Sequence, residues 1–259
     1  MRVAVIGGTG GLGATVAARL VDRGHPVRIV SRTRPERVEP GIEHRGADLA
    51  TGAGLAEALD GMDVVVDAVN SQKQTRAVLV DGVNRLLTAE QEAGIGHHVA
   101  ISLVGCDLVP MAYNTAKVEQ ERLVTAGPVP WTLLRATQFH GYLATMLSAA
   151  ARARITPRSG ALFQPVDIAA VADELVHAVE SGPAGRLADI GGPEARTLTE
   201  LANQWRQAHH GTLVPLRIPL PGKAGRALRA GAGCLDDTGR PVGGGFAEWL
   251  AAESDRVAR

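Results

Sequence analysis

The segment V-A-V-I-G-G-T-G-G-L-G, residues 3–13, joins an apolar run to a turn rich in glycine. Residues 3–6 predict a buried strand, because the inner strands of a parallel sheet are apolar throughout and do not alternate. Residues 14–21 then read as a helix, which Gly24 ends. A strand, a glycine turn and a helix in this order are the context in which a glycine motif binds phosphate.

Three glycines of this turn have separate expected roles. Gly7 lets the chain turn off the strand, Gly10 lets a diphosphate approach the backbone, and Gly13 lets the helix pack close to the sheet. The helix start adds N–H groups and the positive end of its dipole. An ordinary tight turn that binds nothing is the alternative. The candidate cofactor-binding residues of the turn are Gly7, Thr9, Gly10, Gly11, Leu12 and Gly13.

Composition excludes several classes of function. The 27 basic and 27 acidic residues balance, with no basic block, which argues against nucleic acid as a partner. The sequence has no run of about 18 consecutive apolar residues, so we predict no membrane span. Cys106 and Cys234 are too few for a disulfide framework or a zinc site. So few cysteines indicate a reducing compartment, and we therefore expect a cytoplasmic protein.

Strands and helices alternate along the first two thirds of the chain. Apolar runs predict strands near 27–30, 42–45, 64–69, 98–101 and 131–135, and an apolar helical period predicts one helix from Gln74 to Ala93. Such alternation indicates βαβ units with right-handed crossovers. The predicted fold class is α/β, a doubly wound parallel (Rossmann) sheet with a small, mostly helical C-terminal part.

The predicted organisation has two parts. Residues 1–140 form the NAD(P)-binding domain, and residues 141–259 form a smaller substrate-binding region. Within that region, residues 162–195 are expected to return to the sheet, with a strand over 186–190. Residues 206–259 contain no motif with a chemical interpretation.

The sequence S-R-T-R at residues 31–34 follows the second predicted strand and bears on cofactor choice. Sites selective for NAD place an acidic residue here to bind the ribose 2′-hydroxyl, whereas an arginine suits a 2′-phosphate. No acid is present, and Arg32 and Arg34 could bind a phosphate, so the sequence favours NADP(H) with Arg32 as its expected contact. A solvated loop arginine is the alternative.

Other cofactor contacts are predicted at the ends of further strands. Asp48 follows the third strand and is expected either to accept from the adenine amino group or to sit at a helix N-terminus. Asn70 ends the fourth strand beside the cofactor groove, and Gln138 follows the sixth, where it could contact the nicotinamide amide. The remaining candidates for cofactor contacts are Leu49, Ala68, Val69 and Lys117, the last of which could hold the nicotinamide ribose hydroxyls.

A Tyr-x-x-x-Lys pair is the strongest chemical signal. Tyr113 and Lys117 are four apart on a predicted helix and so share a face, in a chain with two tyrosines and three lysines. An ammonium near a phenol, whose pKa is normally about 10, lowers that pKa toward a range useful for acid–base work. Ser102, at the end of the fifth strand, could bind the reacting oxygen. The predicted catalytic set is Ser102, Tyr113 and Lys117.

Each of these residues also has a purely structural interpretation. Tyr113 could pack at the helix start while Lys117 is solvated. His97 and His98 are adjacent on a strand and cannot converge on one metal, so we interpret them as residues of the strand edge and predict no metal site. Cys106 has no general base placed for it and is expected to be an inert thiol.

The motifs together resemble the atypical, NmrA-like branch of the short-chain dehydrogenases/reductases. The matching segments are G-G-T-G-G-L-G at 7–13, I-S-L-V-G-C-D at 101–107, Y-N-T-A-K-V-E-Q-E-R-L-V at 113–124 and L-R-A-T-Q-F-H at 134–140. The resemblance implies a Rossmann sheet, NADP(H) at the glycine turn, and Tyr-Lys-Ser chemistry. Asn114 and Thr115 stand where the family often has Tyr and Arg, so the resemblance carries over the Tyr-Lys pair and not the substrate contacts.

The sequence therefore predicts an NADP(H)-dependent oxidoreductase that reduces a carbonyl or quinone-like group of a small molecule, such as a polyketide. Two alternatives remain open. One is a non-catalytic NADP-binding regulator, and the other is a Rossmann-fold isomerase, epimerase or cyclase without net redox change. The expected partner is a small-molecule substrate, with neither nucleic acid nor membrane, and the expected assembly is a monomer or homodimer.

Overall fold

A computed structural model of the chain describes residues 1–37, 39–209 and 213–257. These residues form two compact units. The first unit comprises the described parts of Met1–Ser102, Ala112–Leu134 and Val171–Leu187, and the second comprises those of Leu103–Met111, Arg135–Ala170 and Ala188–Arg259. Both units take segments from either side of residue 140, and the domain division made from the sequence remains a prediction.

The strands are β1 (Val3–Ile6), β2 (Val27–Ser31), β3 (Ile42–Gly46), β4 (Val64–Asp67), β5 (His97–Leu103), β6 (Trp131–Ala136), β7 (Ile155–Arg158), β8 (Leu162–Phe163), β9 (Gly185–Arg186), β10 (Ile190–Gly191), β11 (Arg196–Thr197), β12 (Val214–Arg217) and β13 (Arg240–Pro241). The helices are α1 (Gly11–Asp22), α2 (Leu55–Leu59), α3 (Thr75–Leu79), α4 (Asp81–Ala93), α5 (Ala112–Ala126), α6 (His140–Arg152), α7 (Ile168–Ser181), α8 (Leu198–Ala208), α9 (Gly222–Arg229) and α10 (Phe246–Val257).

The sheet of the first unit has the strand order β6-β5-β4-β1-β2-β3, with β9 beside β6. The pairings from β3 to β5 are parallel, and Val3 is in register with Val27 on one side and Val64 on the other. Because chain order reverses at β1, the crevice at its carboxyl end is the expected ligand site of this topology. The predicted α/β, doubly wound fold is confirmed.

Apolar side chains of β1 and β4 form the centre of the first unit. All residues of these two strands are buried, as expected for inner strands of a parallel sheet with helices on both faces. One cluster packs β1 and β4 against α2, α3 and α4, and it includes Ile6, Val65, Leu59 and Leu86.

The second unit has its own core of helices. Leu147 of α6, Leu201 and Trp205 of α8, and Leu250 of α10 belong to one buried cluster. A capping box starts α8: the Thr197 side chain accepts from the Glu200 N–H, and the Glu200 carboxylate accepts from the Thr197 N–H. Two small sheets, parallel β7–β12 and antiparallel β8–β11, were not predicted. Strands of two residues, or containing proline, give no readable period.

Two predicted elements differ from the structure. The helix expected over 74–93 breaks at Val80 (φ −110°, ψ −69°) into α3 and α4. This break lets Gly82 approach Leu49 so closely that a Cβ there would lie 3.0 Å from the Leu49 carbonyl oxygen. The strand expected over 186–190 is instead β9 and β10, which pair with different residues of β6. In the described ranges, no helix is both long and apolar enough to cross a bilayer.

His97 and His98 are not strand-edge residues, and that interpretation is wrong. Both are buried in β5, where Nε2 of His97 lies 2.8 Å from Oγ1 of Thr132 and Nδ1 of His98 lies 2.8 Å from the Glu90 carboxylate. Burial opposes protonation of His98, but the charge and the hydrogen bond of Glu90, together with the Asp67 charge, outweigh burial and raise the pKa of His98. Burial, aided by repulsion from His98, lowers the pKa of His97 to about 4.

The neutral state of His97 predicts a loss of stability in acid. The unfolded chain protonates this imidazole near its usual pKa of 6.5, whereas the folded chain does so near 4. The free energy of unfolding therefore falls as pH drops through this interval, by up to about 3 kcal/mol. Urea unfolding of wild type and His97→Gln between about pH 7 and pH 4.5 should show the difference between them shrinking in acid. His177→Gln, at an exposed site of α7, is the control, and parallel curves for wild type and His97→Gln would contradict the assignment.

Candidate active site

The glycine turn after β1 has the geometry expected of a phosphate-binding turn. Gly7 adopts φ +74°, and its N–H donates to the Val30 carbonyl oxygen at 3.0 Å. Helix α1 begins at Gly11 with Gly10 as its N-cap, and no side chain caps it. A Cβ at Gly13 would lie 2.4 Å from the Gly7 carbonyl oxygen, so only glycine lets the helix approach this closely. Thr9, Gly10 and Gly11 are exposed, which leaves the helix start accessible.

The end of β4 lies directly against this turn. A Cβ on Gly7 would be 3.1 Å from the Ala68 carbonyl oxygen and 3.2 Å from the Val69 Cα. The buried Asp67 shapes the chain here, because its Oδ1 accepts from the Val69 N–H at 3.1 Å. Ala68 and Val69, two predicted cofactor contacts, are thereby placed beside the glycine turn, and the predicted contact Asn70 follows them directly in the chain.

Tyr113 joins this edge from α5. Its hydroxyl donates to Oδ1 of Asn70 at 3.1 Å, and its side chain packs partly against the core cluster of β1 and β4. Asn70 is exposed and Tyr113 half-buried, so the phenol is anchored but reachable. The structure thus brings the predicted proton donor to the strand end that borders the glycine turn.

Lys117 is not a solvated charge. Its side chain is 3% exposed, and Nζ donates to the Ile101 carbonyl oxygen at 2.9 Å and to Oε1 of Gln120 at 2.6 Å. Ile101 immediately precedes Ser102 at the carboxyl end of β5. The Ser102 hydroxyl is buried and has no hydrogen-bond partner within the described residues. A buried hydroxyl without a partner is costly to the fold alone, which makes it a candidate for ligand contact.

Two buried residues of this site were missed from the sequence. Gln120 is 2% exposed and its Nε2 donates to Oδ2 of Asp67 at 2.8 Å, while Asp67 itself is 1% exposed. The available signals were slight. Gln120 lies one helical turn after Lys117, and Asp67 interrupts the apolar run at the end of β4. Nothing in the local pattern indicates that the two side chains meet.

Arg32 and Arg34 follow β2 and are exposed. Neighbouring arginines are already paired, since Glu43 forms ion pairs of 2.8 Å with both Arg28 and Arg45. In contrast, neither Arg32 nor Arg34 makes an ion pair with another described residue. Both guanidinium groups therefore remain available to an anionic ligand at this end of the sheet.

Asp48 holds its own loop together. Its Oδ1 accepts from the Ala50 N–H at 2.9 Å, and Leu49 is buried in the core cluster. The helix that follows, α2, begins only at Leu55, and its first-turn acid is Glu57. The helix N-terminal interpretation of Asp48 is therefore wrong, and the adenine contact stays a prediction.

Gln138 and His140 belong to the second unit. Nε2 of Gln138 donates to the Gly233 carbonyl oxygen at 3.2 Å, while its Oε1 is buried without a partner in the described part of the chain. Nε2 of His140 lies 3.2 Å from the Gly244 carbonyl oxygen, and burial lowers the pKa of His140. The predicted nicotinamide contact of Gln138 remains a prediction.

Cys106, which the sequence predicts to be an inert thiol, is 3% exposed. The inert thiol stays a prediction.

Comparisons with known proteins identify the family. A family model described as NAD(P)H-binding matches residues 7–181. A phosphate reductase of Streptomyces griseus subsp. griseus, (4-alkanoyl-5-oxo-2,5-dihydrofuran-3-yl)methyl phosphate reductase, is 32% identical over 218 residues, which cover 78% of this chain and 72% of that protein. Quinone oxidoreductase 2 of Escherichia coli K12 is 28% identical over 210 residues, covering 77% and 72%.

Solved structures agree on the fold. The NADPH complex of the E. coli quinone oxidoreductase QOR2 has a TM-score of 0.77 at 20% identity, covering 97% of this chain and 99% of that one. UDP-glucose 4-epimerase of Thermotoga maritima has a TM-score of 0.79 at 16% identity, covering 100% and 99%. This chain belongs to the NAD(P)H-binding family. The resemblance inferred from the sequence is confirmed at this level.

The residues present fit a dinucleotide. The positive φ of Gly7, the close approach at Gly13 and the uncapped start of α1 form a cradle that a side chain at either glycine would fill. The backbone N–H groups of Gly11 and Leu12 would hold the diphosphate. When bound, the nicotinamide supplies hydride chemistry.

The close packing at Gly13 predicts that Gly13→Ala weakens cofactor binding. A methyl group 2.4 Å from the Gly7 carbonyl oxygen must displace the turn, at a cost of about 1–3 kcal/mol. We expect a fluorescence titration to show a raised Kd for NADPH and urea unfolding to show lower stability. The matched control is Gly96→Ala, where the nearest atom would be 3.7 Å away. Unaltered NADPH affinity in Gly13→Ala would rule out this turn as the cradle.

Proposed function

We propose that this protein is an NADP(H)-dependent oxidoreductase of the short-chain dehydrogenase/reductase type. It would reduce a carbonyl or quinone-like group of a small molecule, with Tyr113 as the proton donor. The observation that carries this proposal is one connection: Gly7 lies against Ala68 and Val69, and the next residue, Asn70, accepts a hydrogen bond from the Tyr113 hydroxyl. It joins the cradle of the cofactor to the only phenol on α5.

The chain's own residues perform the proton side of the reaction. When bound, NADPH would supply hydride to the carbonyl carbon, and the carbonyl oxygen, which gains the C=O π electrons, would take the Tyr113 phenol proton. The product is an alcohol, and tyrosinate remains. Lys117, one helical turn after Tyr113, supplies a positive charge that stabilises this anion. The unpartnered Ser102 hydroxyl would bind the same substrate oxygen and orient it.

The names of the relatives support the substrate class. One similar protein is a furanone methyl phosphate reductase and another is a quinone oxidoreductase. Both names describe redox chemistry on small organic molecules with unsaturated or carbonyl groups. These names favour an oxidoreductase over a regulator that binds the cofactor without turnover.

The preference for NADP(H) rests on Arg32. A 2′-phosphate at the end of β2 would meet an exposed guanidinium that makes no ion pair with the described residues, and no carboxylate stands at 31–34. Charge-assisted hydrogen bonds from arginine to phosphate are strong and specific. The cofactor would thus be held at its diphosphate by backbone and at its 2′-phosphate by a side chain.

Tyr113→Phe tests the chemical role. Loss of the phenol proton should lower kcat by about 10²–10⁴ while the Kd for NADPH stays the same, because the ring is retained. The measurement is loss of NADPH absorbance over a panel of ketones and quinones. Tyr142→Phe is the matched control, since it removes the other hydroxyl of this type, on the 50% exposed Tyr142. If wild type binds NADPH but turns over no panel member, or if Tyr113→Phe keeps full turnover, the proposal fails.

Arg32→Ala tests cofactor selectivity. Removing the guanidinium should weaken NADPH binding about tenfold or more, as expected for loss of a charge-assisted contact, and leave NADH binding unaffected. The readout is the Kd for each cofactor from fluorescence titration. Arg45→Ala serves as the control because Arg45 is already paired with Glu43. Equal weakening of both cofactors would remove Arg32 from the 2′-phosphate site.

A further inference from the structure

A buried hydrogen-bond relay links the predicted catalytic lysine to the end of β4. Lys117 donates to Gln120 at 2.6 Å, Gln120 donates to Asp67 at 2.8 Å, and Asp67 accepts from the Val69 N–H at 3.1 Å. The three side chains are 3%, 2% and 1% exposed. None of them can exchange these contacts for water without opening the unit.

The relay has a fixed direction. An ammonium only donates and an ionised carboxylate only accepts, so the Gln120 amide must turn its oxygen to Lys117 and its nitrogen to Asp67. No other uncharged side chain of this length offers one acceptor and two donors. Glutamine at position 120 is therefore required by the two charges on either side of it.

The neutral amide also sets where the ammonium lies. A direct ion pair with Asp67 would draw Nζ towards the strand, whereas the intervening Gln120 keeps it at the Ile101 carbonyl oxygen, 2.9 Å away. That carbonyl belongs to the residue before Ser102. Asp67 in turn interacts electrostatically with the buried pair Glu90 and His98, so its carboxylate is held among charges on several elements.

Asp67 has a second role through its other oxygen. Oδ2 accepts from the Gln120 amide of α5, while Oδ1 accepts from the Val69 N–H. The backbone of residues 68 and 69 borders Gly7. One carboxylate therefore fixes the lysine and shapes the wall of the cofactor cradle. A shift of this group would disturb both parts together.

We infer that Gln120 and Asp67 are positioning residues that hold the Lys117 ammonium at the carboxyl end of β5, at the same edge of the sheet as the glycine turn after β1. This inference rests on the proposed function for the meaning of Lys117, but the positioning itself is measurable without substrate. It assigns a role to two residues outside the predicted Ser-Tyr-Lys set.

Lysine NMR provides the test. The chain has three lysines, and Lys73 and Lys223 are exposed. Protein labelled with ¹⁵N-lysine should give one slowly exchanging ammonium signal, which Lys117→Met assigns. Gln120→Met keeps the side-chain length but removes the acceptor. In this variant we expect the Lys117 ammonium protons to exchange with water about tenfold faster or more, because a buried hydrogen bond is lost. Gln91→Met, on the exposed surface of α4, should leave the signal as in wild type.

A charge-swapped pair distinguishes positioning from general damage. In Asp67→Asn, one of the two accepting oxygens becomes an N–H₂ group, which then faces a donor, either the Gln120 amide or the Val69 N–H. The slow signal should therefore be lost. Combining Asp67→Asn with Gln120→Glu restores the pattern, because the new carboxylate accepts from both Lys117 and the new amide, and the net charge is unchanged. The slow signal should return in the double variant. These variants keep the test decisive if Gln120→Met does not fold.

The outcomes separate the two hypotheses. A wild-type protein without a slow lysine signal, or a Gln120→Met variant with the wild-type signal, overturns the positioning role even if NADPH binds. Failure of wild type to bind NADPH in a parallel titration contradicts the proposed function, while the lysine signals still report on the relay. Loss in both single variants with recovery in the double variant supports the positioning role.

Discussion

A lysine ammonium taken out of water must be given acceptors, and in this protein that requirement organises one edge of the sheet. Burying an unpaired charge costs far more than a small domain can tolerate. Lys117 donates to the Ile101 carbonyl oxygen and to the Gln120 amide oxygen, and the Gln120 amide nitrogen in turn donates to the Asp67 carboxylate. The three elements β4, β5 and α5 are thereby tied at the edge where the glycine turn lies.

The parallel sheet explains why these residues can meet at all. Carboxyl ends of parallel strands lie at one edge, and the order β3-β2-β1-β4-β5-β6 places the end of β1 next to that of β4 and the end of β4 next to that of β5. Gly7 follows β1, Asp67 ends β4, and Ser102 is the last residue but one of β5. The glycine turn, an acid and a hydroxyl from distant parts of the chain therefore lie at one edge of the sheet without any long loop.

Local signals predicted the fold, and they indicated several residues of the candidate site. The continuous apolar run of β1, the glycine spacing and the Tyr-x-x-x-Lys pair are short-range patterns, so they were readable from the sequence. The break at Val80, the pairing of β7 with β12 and the relay through Gln120 depend on contacts between distant segments. His97 and His98 show the same limit, because their partners Thr132 and Glu90 decide that they are buried. No pattern within a few residues reports such a partner.

A crystal structure of the protein with bound NADPH tests the central claim most directly. The account predicts the diphosphate on the backbone N–H groups of Gly11 and Leu12, with the Tyr113 hydroxyl and the Lys117 ammonium facing the nicotinamide ribose. It also predicts that the contacts of Lys117 with Ile101 and Gln120 persist in the complex. A nicotinamide ring bound away from Tyr113, with Lys117 touching no atom of the cofactor, would contradict it.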